Sequence, residues 1–170
     1  QIAMASTGNA PNLLTLGMTS QDYEKHKTKF PAETEWVPYV QARIFEIDGT
    51  PIQEVNKEQS QDIDTDGGKG PQIREYFVNV REDETLFNGE KIEKGASLFA
   101  RAGPSVVRAS LEEAFAERMG LSKTGTPFVL ELAGVRLNAV VSSIRKVQWF
   151  QFRPNFFIIL KQKTLTILIS

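Results

Sequence analysis

Apolar positions along this chain come in strand-length runs set apart by polar turns, with two helical patterns between them. Leu13, Leu14, Leu16 and Met18 form a short apolar run that predicts a buried strand after an irregular lead-in ending in Gly8-Asn9-Ala10-Pro11-Asn12. Thr19 or Ser20 is placed to cap a helix over Gln21 to Lys29, with Asp22 and Glu24 suited to its positive end. Tyr23 and Phe30 share one face of that helix, and Pro31 stops it. A long strand is expected from Trp36 to Ile47, where Val40, Ala42 and Ile44 alternate and Glu46 strains the pattern; Asp48-Gly49 then turns the chain.

Between Gln53 and Gln72 hydrophobic residues nearly vanish, which predicts a solvated loop. Ile73 to Val80 reads as a strand and Arg81 to Gly95 as a polar stretch. The sharpest local signal is at Val106 to Gly120: Val106 and Val107 end a strand, Ser110 caps a helix and Glu113 completes a capping box. Leu111, Ala114, Phe115 and Met119 supply its apolar stripe, and Gly120 suits the left-handed position that ends it. Two strands follow, Phe128 to Leu132 and Val135 to Ser142, joined at Ala133-Gly134; the second runs on towards Val147, with Arg145 and Lys146 interrupting its apolar pattern. Phe156 to Leu160 and Leu165 to Ile169 predict closing strands.

These elements predict an α+β fold with two lobes. A porter-like α/β lobe would take residues 1–50 and the return strands 154–170, apparently truncated, with a small β-rich lobe of residues 51–153, carrying one helix at 110–120, inserted discontinuously.

Composition narrows the function classes. The chain has 170 residues and a formal net charge of −1, so its overall field draws neither nucleic acid nor an anionic membrane. It has no cysteine, which excludes disulfides, thiolate nucleophiles and Cys-based zinc sites. No apolar run approaches the roughly 20 residues that cross a bilayer. The start at Gln1 leads us to expect a piece of something longer.

Candidate chemistry is sparse. Asp62-Ile63-Asp64-Thr65-Asp66-Gly67 matches the first half of a calcium loop, but Ile73 stands where a bidentate Glu is needed and Glu75 comes late. His26, the one histidine, lies between Lys25 and Lys27 and reads as a surface residue; no G-x-S-x-G elbow accompanies it. The pair Glu112 and Glu113 and the run Glu82-Asp83-Glu84 give no reason for a raised pKa. Gly67-Gly68-Lys69-Gly70 lacks the spacing of a phosphate-binding loop. Trp149, Phe150, Phe152, Phe156 and Phe157 form the densest aromatic cluster, with Arg145, Lys146 and Arg153 interleaved. That mixture can stack single-stranded nucleic acid, yet the near-neutral charge favours a core between two lobes. The sequence therefore predicts no enzyme, no catalytic residue, no cofactor, no metal and no nucleic-acid partner.

The segment Lys146-Val147-Gln148-Trp149-Phe150-Gln151-Phe152-Arg153-Pro154-Asn155-Phe156-Phe157 resembles one found in YbbP-like export permeases of the FtsX/MacB superfamily of ABC transporters. Ala10 to Leu14, Arg43-Ile44 with Ile47-Asp48-Gly49, Arg74-Glu75-Tyr76, Leu111 to Leu121 and Phe128 to Gly134 resemble further family stretches in the same order. The resemblance implies a MacB-like periplasmic core domain, borne between two membrane helices of a bacterial inner-membrane permease. It implies a mechanotransmitting role without catalysis, ATP being hydrolysed by a separate cytoplasmic ATPase subunit. Implied partners are that subunit, a second permease copy, and a periplasmic substrate or protein. A freestanding periplasmic or secreted ligand-binding module is the alternative.

Overall fold

The strand expected over Trp36 to Ile47 is broken at Pro38, and the break separates two sheets. The computed structural model describes residues 2–6, 11–15, 19–32, 35–52, 73–87, 89–100, 106–148 and 156–161. Before the break, β1 (Ile2–Ser6), β2 (Pro11–Thr15) and β3 (Glu35–Val37) form an antiparallel sheet in the order β2-β1-β3. Part of the expected lead-in is thus strand. Between β2 and β3 lies α1 (Ser20–His26), continued by a 3-10 turn at Lys27–Lys29. Its N-cap is Thr19, as expected, and Thr19 and Asp22 satisfy each other's backbone N–H groups in a capping box.

After Pro38 the chain builds a barrel. Its ring is β4 (Tyr39–Ile47), β6 (Glu75–Arg81), β11 (Ile158–Lys161), β8 (Val107–Glu112), β10 (Val135–Val147) and β9 (Pro127–Leu132), with β9 pairing back to β4. The β6–β11 and β8–β10 pairs are parallel and the other ring pairs antiparallel. Outside the ring, β5 (Thr50–Pro51) folds back on β4, and β7 (Glu90–Lys94) lies along the far end of β10. The polar stretch Arg81 to Gly95 therefore contains a strand that its composition hid. The Asp48-Gly49 and Ala133-Gly134 turns join tight hairpins, and all four residues have positive φ.

This barrel overturns the expected two-lobed α+β fold with its porter-like lobe. β4 and β11, assigned to that lobe, are both ring strands, and β11 is hydrogen-bonded on one side to β6 and on the other to β8. Hydrophobic runs locate strands but carry no information about which strand lies beside which. The helices α1 and α2 (Glu113–Met119) are seven residues each, too short to cover a sheet as a layer.

Alternation sets what fills the ring. Val78 on β6, Val107, Ala109 and Leu111 on β8, Leu130 and Leu132 on β9, and Ile158 and Leu160 on β11 belong to one buried cluster. Ala42 and Ile44 join it from β4, and a bulge between Ile44 and Glu46 accounts for the strained alternation there. The helix α2 adds Phe115, Ala116 and Met119. Each of the Val, Leu, Ile, Phe and Met side chains, fully buried, contributes about 1.5–3 kcal/mol relative to exposure.

Ser110 does not cap α2. β8 runs on to Glu112 because its backbone is held by β10 on one side and β11 on the other, and Glu112 is the N-cap. The Glu112 carboxylate accepts from the N–H groups of Ala114 at 3.1 Å and Phe115 at 2.7 Å. Gly120 ends the helix in the left-handed conformation, as expected.

Candidate functional site: a buried arginine–glutamate network

The residues that alternate with the barrel filling on β6, β8, β10 and β11 are unusual for an outer face. Asn79, Ser110, Ser143 and Arg145 are fully buried there, with Arg81 and Glu112 nearly so. They are covered by residues 82–87 and 89–100, a strap that includes β7 and sets Leu98 and Phe99 against Ile159 of β11. Gly95 lets the strap press close. Its φ is +101°, and a Cβ there would meet the Ser142 carbonyl oxygen at 2.7 Å.

Glu90, at the start of β7, is the centre of this layer. Its side chain is 1% exposed. It accepts from Arg81 through two parallel bonds, Nη1 to Oε2 at 2.8 Å and Nη2 to Oε1 at 2.9 Å. Arg145 Nη1 donates to the same Oε1 at 3.0 Å. The Phe87 N–H donates to Oε2 at 2.9 Å, and the Phe87 ring lies 3.7 Å under the Arg81 guanidinium carbon. The remaining donors are also placed: Arg81 Nε on Asn79 Oδ1, Arg145 Nε on Ser110 Oγ at 3.2 Å, and Arg145 Nη2 on the Phe156 carbonyl at 2.6 Å. Ser143 Oγ bonds Ser110 Oγ at 2.7 Å.

Burial pulls the Arg145 guanidinium down to about 10, against the opposing pull of Glu90, and it stays charged at neutral pH. Burial alone would push the Glu90 carboxyl up, but the Arg81 hydrogen bond and the charges of Arg145 and Arg81 outweigh it and hold it below its usual value. Glu112 stands opposite Arg145 on the neighbouring strand and its charge adds to that of Glu90 in favouring the charged guanidinium. The cluster ties β6, β7 and β10 together through Glu90.

The aromatic cluster predicted from sequence is only partly in view. Phe156 is buried with Val37 beside Tyr39 and Phe87, while Phe157 stacks on Phe115 of α2. These two neighbours thus serve different packing regions; Trp149, Phe150 and Phe152 lie outside the described residues. Arg145, read as one of the basic residues interleaved among aromatics, is buried and ion-paired. The acidic half-loop Asp62 to Gly67, Gly67 to Gly70 and the strand predicted at Leu165 to Ile169 also lie outside. Glu82, Asp83 and Glu84 are exposed, and His26 is half-buried at the end of α1. Among the described residues no three His, Asp or Glu side chains gather as a metal site, and no helix is long and apolar enough to cross a membrane.

Sequence reasoning missed Arg81 and Glu90 altogether. The one available signal was Arg145, a charge set between the apolar Ile144 and the end of β10 at Val147. No protein-family model, curated protein or solved structure matches the chain.

Proposed function

We propose that this chain is a non-catalytic extracytoplasmic domain of an FtsX/MacB-type ABC-transporter permease, coupling ATP hydrolysis in a separate cytoplasmic subunit to work outside a bacterial inner membrane. The observation that carries this reading is where the chain crosses into the barrel and where the last described ring strand ends. It comes in at Tyr39, opposite Asn79, and the last ring strand reaches Lys161, opposite Arg81. Both crossings therefore lie at the C-terminal end of β6, one on each flank. Adjacent strands are about 4.8 Å apart, so the crossings are separated by roughly 10 Å. That arrangement suits a domain carried between two membrane helices, with the small sheet of β1 to β3 lying between the barrel and the preceding connection.

The ordered family-like stretches from Ala10 to Phe157 add to this reading. The buried charges support the non-catalytic part, since Arg81, Glu90 and Arg145 are bonded to one another and Glu112 caps a helix. The partners would be the ATPase subunit, a second permease copy, and a substrate or protein on the outer side.

Reporter fusions on either side of this segment in the complete gene product test the proposal. Spans of about 20 apolar residues flanking it, beside an adjacent gene with a Walker A motif, are expected. A cleavable signal peptide upstream and no span downstream would replace the permease with a freestanding binding module.

A further inference from the structure

β7 has a strand beside it on one side only: it pairs with β10 and ends the strand order of its sheet. At its start, Gly89 gives its carbonyl to the Gln148 N–H at 2.9 Å. Backbone groups alternate in direction along an antiparallel strand, so Gly89 and Lys91 face β10 while Ile92 turns its N–H and C=O outward. Among the described residues no other segment takes up those two groups.

The side chains of this free edge follow a pattern that complements itself. Turned antiparallel about Ile92, the run Glu90-Lys91-Ile92-Glu93-Lys94 sets Ile92 against Ile92 and Lys91 against Glu93 twice. Lys91 and Glu93 are exposed and, within one chain, pair with each other at 3.2 Å. Glu90 and Lys94 are already held, the first by Arg81 and Arg145 and the second by the Ser122 carbonyl at 3.1 Å. The same face carries a mismatch. Lys146 of β10 stands directly opposite Lys91, and like charges so opposed repel. Among the described residues Lys146 has no ion pair of its own.

We propose that the free edge of β7 pairs with β7 of a second copy of this chain, antiparallel and two-fold symmetric about Ile92. The two Ile92 residues then exchange both backbone hydrogen bonds, and a self-complementary patch of this kind closes as a dimer. Each Lys91 comes to lie between Lys146 of its own chain and Glu93 of the second copy, so a carboxylate meets the unmatched positive charge. Charges along an edge keep unrelated strands away; this set repels strands without the opposite pattern and attracts its own. A contact of five residues on each side is small, so the association is weak and falls as salt screens the pairs. The dimer supplies a surface for the second permease copy and to that extent rests on the proposed function, but the pairing itself needs no transporter.

Lys91→Glu and Glu93→Lys test it by sedimentation equilibrium over a concentration series. The parent is expected to dimerise reversibly. Either variant alone sets like charges together twice and should dimerise about tenfold more weakly, or worse. An equimolar mixture of the two restores opposite charges at both positions and should recover the parent's association, as should one chain carrying both changes. Disulfide trapping reads the register, since the chain has no cysteine of its own. A mixture of Lys91→Cys and Glu93→Cys chains should cross-link faster than either chain by itself. A parent that stays monomeric, single variants that associate as the parent does, or a mixture that fails to recover would overturn the proposal. The reporter fusions read none of this, so the two ideas fail separately.

Discussion

Phe157 stacks on Phe115 with ring centroids 5.4 Å apart and planes 16° from parallel, and this contact joins α2 to the residue just before the last barrel strand. Tyr76 of β6 meets Phe115 edge-on from another side, at 5.1 Å. One helix side chain thus touches two ring strands or their approaches, and Phe115 itself has no exposed surface.

Phe115→Ala should therefore cost about 3–5 kcal/mol, the usual range for a fully buried phenylalanine. Phe115→Asp, which also buries an unpaired charge, should leave no cooperative transition. Urea unfolding followed by circular dichroism checks both; an aspartate variant with the parent's midpoint would show that α2 does not pack as described.

Glu90→Gln should destabilise the fold by about 3–5 kcal/mol, because it strands two buried guanidinium groups without a carboxylate. The effect should depend on pH. Folding holds the Glu90 carboxyl below its ordinary value of 4.5, so its contribution is present above the unfolded pKa and is lost as the pH falls through the folded one. The difference in melting temperature between parent and variant should be constant at neutral pH and narrow below about pH 4.5. A gap that widens on acidification would reverse the sign assigned here.

Glu112→Ala should weaken α2 by about 1–2 kcal/mol through loss of its cap. Amide exchange is the direct readout, since the N–H groups of Ala114 and Phe115 lose their acceptor and should exchange faster. Unchanged protection at both amides would return the capping role to another residue.

Gly95→Ala places a Cβ against the Ser142 carbonyl at a backbone angle that alanine avoids. The combined strain should be about 1–3 kcal/mol, and it should fall on the strap. Protection of β7 amides should drop more than that of β9 amides in the same exchange experiment.

Local signals in the sequence located individual elements well. Thr19 as a cap, Gly120 as a terminator and the Ala133-Gly134 hairpin are all short-range chemistry, decided within a few neighbours. Ser110 shows where such reasoning ends. It stands in a correct capping-box spacing, but hydrogen bonds from strands 33 or more residues away in sequence keep it in β8. The barrel was hidden for the same reason, because Val78 pairing with Ile158 leaves no mark on either segment. Glu90 in its polar stretch resembles any solvated acid until Arg81 and Arg145 are brought to it by folding.

The closing position of β11 has a consequence for how the chain reaches this state. Among the described residues the gap between β6 and β8 is filled by β11, whose residues come 80 positions after their β6 partners, as in Val78 and Ile158. During synthesis both strands therefore wait with an open edge apiece until residues 158–161 leave the ribosome. Open edges on an apolar strand are templates for pairing with other chains, and pairings this distant form slowly. A chain stopped short of residue 158 should thus be found in aggregates or on chaperones, with its strands made and its ring unsealed.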